Sequence, residues 1–300
     1  MISAMPLPDP AIDIRAMTAA DVAPAADIIA ATGWGARLAW FDHAVAAPNI
    51  HAAVAIDDEL GIVGTGVATL HGPVAWIGTI WVHPDRRRRG LGLALTNWTI
   101  DVAEGAGCRT LVLVASDEGR PLYERLGFSD LTFEPVLEAP GLPAAADRPG
   151  DVAVASGSGP GRRVRAWRAE DLPAALALDL AATGEDRSAA FRAFADPSTA
   201  IVVVGQDDVP RGFLIRAPWG GGATIAPDPD DAMALLTARR RASGPDKRVR
   251  AGLMASNTVG LERLAAAGWT EAWRARRMSR GEPLDWQPDA IWGQFNHAMG

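Results

Sequence analysis

Apolar residues in this chain gather into short runs whose spacing changes from one stretch to the next. Residues 52–56, 61–70 and 75–82 are dense in β-branched and aromatic side chains, with breaks at Asp57-Asp58-Glu59 and His71-Gly72-Pro73. That pattern predicts three successive strands. Past Pro84 the spacing becomes helical, with Leu91, Leu95, Trp98 and Val102 on one face of a helix over residues 91–104. Residues 110–114, Thr-Leu-Val-Leu-Val, are almost wholly apolar and predict a strand covered on both faces. A short helix over 122–126 should stop at Gly127.

The pattern occurs twice. Ile14-Arg15-Ala16-Met17-Thr18-Ala19-Ala20-Asp21-Val22 returns as Val164-Arg165-Ala166-Trp167-Arg168-Ala169-Glu170-Asp171-Leu172, each reading as a strand and then a capping Asp that starts a helix. Both helices run out at Ala-Ala-Thr-Gly, at Gly33 and Gly184. Three residues separate Thr79-Ile80 from Pro84-Asp85, and three separate Thr224-Ile225 from Pro229-Asp230. Ala115-Ser116, Tyr123-Glu124-Arg125-Leu126 and Gly127-Phe128 correspond to Ala255-Ser256, Leu261-Glu262-Arg263-Leu264 and Gly268-Trp269. Matches that keep one order along an Ala-rich chain indicate a duplicated domain.

Between the copies, residues 138–161 hold Pro140-Gly141-Leu142-Pro143 and Ser156-Gly157-Ser158-Gly159-Pro160-Gly161 without periodicity, and read as a linker. The expected layout is therefore 12–137, linker 138–161, second copy 162–280 and tail 281–300. Trp286 and Trp292 predict a tail that packs back on a domain.

A length of 300 residues suits two domains, and 48% hydrophobic with 22% charged residues suits folded globules. The formal net charge of −7 argues against a general nucleic-acid or anionic-membrane binder. Cys108 is the single cysteine, which excludes an intrachain disulfide and a cysteine-based zinc site. His43, His51, His71, His83 and His297 form no metal-binding spacing, so no metal is expected. Residues 1–10 lack the basic and apolar parts of a signal peptide, and no apolar run approaches a membrane span, so a cytoplasmic protein is expected.

Local chemistry concentrates in Pro84-Asp85-Arg86-Arg87-Arg88-Arg89-Gly90-Leu91-Gly92, between a predicted strand and a predicted helix. A helix start exposes unpaired N–H groups and a partial positive charge. Gly90 and Gly92 let an anion approach those groups, and Arg86 to Arg89 can add charge-assisted hydrogen bonds. A diphosphate suits this arrangement, whereas a solvated basic turn is the plainer alternative.

The order of elements, the Arg-x-x-Gly-x-Gly loop at 87–92 and the later run Ala115-Ser116-Asp117-Glu118-Gly119-Arg120-Pro121-Leu122-Tyr123-Glu124-Arg125-Leu126-Gly127-Phe128 resemble the GNAT superfamily of N-acetyltransferases over the whole first copy. The resemblance implies an α/β (α+β) fold of two tandem GNAT-like domains, each a mixed, largely antiparallel sheet flanked by helices. It also implies acetyl-CoA as co-substrate, with Arg87, Arg88, Arg89, Gly90, Leu91 and Gly92 at the pyrophosphate. Ile80, Trp81 and Val82 would bind the pantetheine arm through their backbone and supply an oxyanion donor, with Ser116 and Gly119 completing the cofactor set. Tyr123, the only tyrosine, would protonate the leaving thiolate. The implied reaction is direct attack of a primary amine, on a small molecule or a peptide, upon the thioester. Cys108 then reads as structural, and His71, Asp42, His43 and Glu118 are conceivable bases of which none is assigned.

The second copy has Asp230-Asp231 where the first has arginines and glycines, and Leu261 at the tyrosine position, so it should keep the fold and lack the cofactor site. This resembles two-domain GNAT proteins in which one half binds CoA and the other walls the acceptor pocket, with Arg216-Ala217-Pro218-Trp219 and Trp273 as candidates here. Arg274, Arg276, Arg277 and Arg280 could meet an acidic substrate or form a solvated face. Oligomerisation is left open. The rival reading is a non-catalytic acyl-CoA-binding regulator or scaffold.

Overall fold

The computed structural model describes residues 12–143 and 161–300. The segment weighed as a leader and most of the expected linker lie outside these residues; Glu138 to Pro140, at its start, are the end of a strand. The chain divides into two compact units, the first comprising residues up to Ser129 with Ser279–Glu282 and His297–Met299. The second comprises Asp130–Met278 and Pro283–Asn296, with Gly300.

In the first unit, strands β1 (Ile12–Ala16), β2 (Ile50–Asp57), β3 (Gly61–His71), β4 (Val74–Val82) and β5 (Thr110–Ala115) lie side by side in chain order. Each pairs antiparallel with the next except β4 and β5, which run parallel. Helices α1 (Ala19–Ala31) and α2 (Leu38–Ala46) precede β2, and α3 (Leu91–Gly105) makes the crossover from β4 to β5. Leu91 and Leu95 of α3 pack on Ala53, Ala55 and Val63, the apolar stripe that periodicity predicts. A short helix α4 (Arg120–Arg125) follows β5. Beyond β5, Glu282 donates its N–H to the Arg109 carbonyl at 3.0 Å and accepts from the Thr110 hydroxyl at 2.8 Å.

The second unit contains β6 (Ser129–Pro140) from Asp130 on, β7 (Arg163–Ala166), β8 (Ala200–Val204), β9 (Pro210–Arg216), β10 (Gly222–Ile225), β11 (Arg248–Gly252), β12 (Thr270–Gly281) as far as Met278, and β13 (Ile291–Gly293). Five of these form an antiparallel sheet in the order β13-β10-β9-β8-β7, and β6 lies between β12 and β11. Helices α5 (Leu172–Thr183), α6 (Ser188–Phe194), α7 (Pro229–Ser243) and α8 (Thr258–Ala266) complete it. Of the tail tryptophans, Trp292 is fully buried and donates to the Ala226 carbonyl at 3.0 Å, and Trp286 lies against the Arg277 guanidinium.

The fold is thus a mixed α/β one dominated by antiparallel pairs, and the duplication extends to single contacts. Arg15 chelates Asp21 at 2.7 and 2.8 Å, and Arg165 chelates Asp171 at the same two distances. The guanidinium holds the Asp21 carboxyl well below the usual carboxylate range. Asp21 is not itself the cap residue. Thr18 takes that place, and Asp21, three residues on, accepts the Thr18 N–H at 2.8 Å.

Candidate active site

Strand β4 breaks its regular register with β3 midway: Val67 faces Gly78 but Thr65 faces Trp81, so Thr79 and Ile80 oppose Gly66 alone. Thr79 takes φ +52°, which for a β-branched residue costs about 1–3 kcal/mol and persists only when its surroundings impose it. Two side chains do so. The Thr65 hydroxyl donates to the Thr79 carbonyl at 2.8 Å, and the Trp40 indole N–H donates to the Thr79 hydroxyl at 3.2 Å. The ladder with β5 runs from Val74 and Thr110 to Ile77 and Leu113, so Ile80, Trp81 and Val82 continue past its end. Their backbone on the β5 side lies outside that ladder, the setting in which a strand can pair with an extended ligand. The Trp81 side chain is buried and donates to the Thr32 hydroxyl at 3.1 Å, which leaves its backbone for any binding role.

After β4 the chain makes a turn over Pro84–Arg86 that His83 caps by accepting the Asp85 N–H at 3.2 Å. The arginines then diverge. Arg86 grips Asp57 at 2.6 and 3.1 Å, holding that carboxyl down at about 2, so Arg86 is spent within the fold and leaves the anion-binding group sketched from sequence. Arg87 donates to the Val82 carbonyl at 3.2 Å and lies 3.9 Å from Glu118. Arg88 and Arg89 are exposed, Arg88 with φ +63°. Gly90 opens α3 at φ +82°, a conformation open to glycine at no steric cost, and no side chain caps the helix. The N–H groups of the first turn, from Leu91 and Gly92 onward, have no intrahelical acceptor.

A side chain at Gly92 would lie within 4 Å of both Val82 and Leu122, so the end of β4, the start of α3 and α4 converge. Ser116 accepts the Gly119 N–H at 3.1 Å and shapes the turn into α4. Tyr123 sits on α4, buried edge-on against Phe128 with ring centroids 6.1 Å apart. A side chain at Gly119 would meet its ring at 3.0 Å. Burial raises the Tyr123 phenol to about 12, so it stays protonated through the physiological range and has a proton to donate there.

The four base candidates separate. Asp42 and Glu118 are exposed. His43 is half-buried on α2 beside Trp40, and burial lowers its pKa, favouring the neutral imidazole. His71, met in sequence as a turn residue, is fully buried and bonded at 2.8 Å to the Met299 carbonyl. Cys108 is buried and its thiol pushed up by desolvation, the condition of an inert thiol. Arg274 pairs with Glu271, Arg276 with Asp130, Arg280 with Glu104, and buried Arg277 donates to Gln294, so these side chains are engaged within the protein. Trp219 packs edge-on against Phe194, while Trp273 is exposed. Among the described residues no cluster of three or more His, Cys, Asp or Glu could hold a metal, and no helix is long and apolar enough to cross a membrane.

In the second unit the corresponding helix start is filled from within. Asp228 caps α7 by accepting the Asp230 N–H at 2.7 Å. Arg162 donates to Asp228 at 3.1 Å and also binds Asp231, Arg211 lies 3.2 Å from Asp231, and Arg263 binds Asp230.

Residues 25–128 match the sequence model of the acetyltransferase (GNAT) family. The matched segment carries the loop after β4 together with α3 and α4. Solved structures extend the likeness along the chain. A candidate acetyltransferase from Pyrococcus horikoshii superposes with TM-score 0.78 at 20% identity, covering 98% of each chain. A GCN5-related N-acetyltransferase from Sphaerobacter thermophilus gives 0.66 at 18% identity over 93% of this chain and 100% of its own. A tandem GNAT protein from the clavulanic acid biosynthesis pathway gives 0.59 at 18% over 91% and 99%. The chain therefore has the tandem GNAT fold. The family match over residues 25–128 supports N-acetyltransferase activity in general.

Proposed function

We propose that the GNAT domain transfers an acetyl group from acetyl-CoA directly to a primary amine, using one cofactor site per chain. The observation that carries this reading is the uncapped start of α3 at Gly90, beside the point where β4 outruns its ladder with β5. The first offers N–H groups and positive charge to a diphosphate. The second offers free backbone to an extended amide-bearing arm. Acetyl-CoA supplies the activated acyl group as a thioester.

This chain's residues have separate tasks. Arg87, fixed at the Val82 carbonyl, and exposed Arg88 and Arg89 supply charge to the phosphates, with Gly90, Leu91 and Gly92 giving close N–H approach. Ile80 to Val82 hold the arm, and an N–H among them polarises the thioester carbonyl. Ser116 and Gly119 shape the turn that carries Tyr123 to this end of the sheet. Tyr123 donates a hydrogen bond, and then its proton, to the departing sulfur. A non-covalent route fits a Cys108 held protonated by burial.

The test is calorimetric titration of acetyl-CoA into Arg87→Glu/Gly90→Glu. Binding should weaken by at least about 100-fold, since one reversed and one added negative charge face the phosphates. Undiminished binding would show that the site lies elsewhere. Steady thiol release with a panel of amines separates an enzyme from a CoA-binding scaffold.

A further inference from the structure

The face of the first unit's sheet opposite α3 is occupied, next to the Thr79 bulge, by a segment more than two hundred residues away in sequence. Leu95 and Thr99 of α3 lie against Gly64 and Gly66, which gives one face of β3 to that helix. The alternate residues of β3 point the other way. There Thr69 donates its hydroxyl to the Ala298 carbonyl at 2.7 Å, and His71 meets the Met299 carbonyl at 2.8 Å, all four residues being buried. A carbonyl can only accept, so Nε2 of His71 carries the hydrogen. On β4, Gly78 closes the contact. A Cβ there would come within 2.4 Å of the Ala298 side chain, 2.6 Å of its Cα and 3.0 Å of the His297 carbonyl. Gly78 is also the residue immediately before Thr79, the point at which the register with β3 breaks.

We infer that His297–Met299 is a positioning element of the acyl-transfer site: it clamps Gly78, fixes the Thr79 bulge, and walls the face from which the amine must come. The inference rests on the reading of the β4 bulge as the place of the thioester. With α3 covering one face, an amine reaches a carbonyl held at Ile80 to Val82 from the other. That face is bordered by Trp40, bonded to Thr79, and by this segment. Thr65 restrains the bulge from within the sheet and the clamp restrains it from outside. A bulge free to relax would lose the alignment on which direct transfer depends.

The test compares Gly78→Ala and Thr69→Val with the unaltered full chain. Gly78→Ala drives a methyl group into Ala298. Thr69→Val removes only the hydroxyl that holds the Ala298 carbonyl, and Thr69→Ser keeps it. Hydrogen exchange in a peptide covering residues 78–82 should accelerate about tenfold or more in the first two variants, while exchange in β2 stays unchanged. With an accepted amine, kcat should fall about tenfold while the acetyl-CoA Kd stays within about threefold, because the phosphate loop is untouched; Thr69→Ser should restore both readouts. Unchanged exchange over 78–82 overturns the inference whatever the activity. Faster exchange with normal turnover reduces the segment to a structural part and overturns its positioning role. An unaltered protein that neither binds acetyl-CoA nor releases thiol removes the acyl-transfer reading instead, a result distinct from both.

Discussion

Helices α3 and α7 occupy matching places in the two copies, and their first turns are opposites. Helix α3 begins at a left-handed glycine with no cap, with Arg88 and Arg89 exposed beside it. Helix α7 begins at a capping aspartate, and its Asp230 and Asp231 are bound by Arg263, Arg162 and Arg211. Both starts satisfy the same electrostatic demand, because a helix N-terminus favours negative charge. In α7 that charge is the chain's own carboxylates. In α3 no acidic side chain of the first turn supplies it, and on the function proposed above the phosphates of acetyl-CoA do.

The contrast can be broken from either side. The largest effect expected is loss of acetyl-CoA binding in Arg87→Glu/Gly90→Glu, which gives α3 the charge pattern of α7. Next comes Tyr123→Phe, which keeps the ring packing and removes the donor. Its kcat should fall by about 100-fold with an acetyl-CoA Kd within about twofold, and unchanged turnover would remove Tyr123 from the chemistry. In the other direction, Asp231→Asn removes the fully buried counter-charge of Arg162. Thermal or urea unfolding should report about 3 kcal/mol of lost stability, while acetyl-CoA binding is unaffected.

The smallest effect is in pH dependence. Asp57 is held down at about 2 by Arg86, so its contribution to stability is present above the ordinary carboxylate pKa near ~4 and is lost as pH falls toward 2. Asp57→Asn should flatten the unfolding midpoint over that acid window and leave acetyl-CoA binding at neutral pH intact. A matching loss of binding would return Arg86 to the phosphate loop.

Much of this could be read from residues. The succession of strands in the first copy, the position of α3 and the repeat follow from short-range periodicity and turn chemistry, and the repeat reaches the Arg15–Asp21 and Arg165–Asp171 pairs. What sequence did not reveal was set by distant partners. Arg86 to Arg89 are chemically identical along the chain, and Asp57, from another strand, draws Arg86 away with Glu59 3.5 Å off. The Thr79 bulge lies inside a run that reads as regular strand, and its restraints come from Trp40 and Thr65. The recurrence of Thr79-Ile80 as Thr224-Ile225 gave no signal of it, because β10 pairs with β9 in unbroken register. The burial of His71 depends on Met299, which no local pattern could pair with a residue at the end of β3.

The most direct measurement is the stoichiometry of acetyl-CoA binding to the full chain by isothermal titration, paired with the same titration of Arg87→Glu/Gly90→Glu. One acetyl-CoA per chain, lost in the variant, is the expected result. Two per chain, or one that survives the substitutions, would contradict a single site at the start of α3.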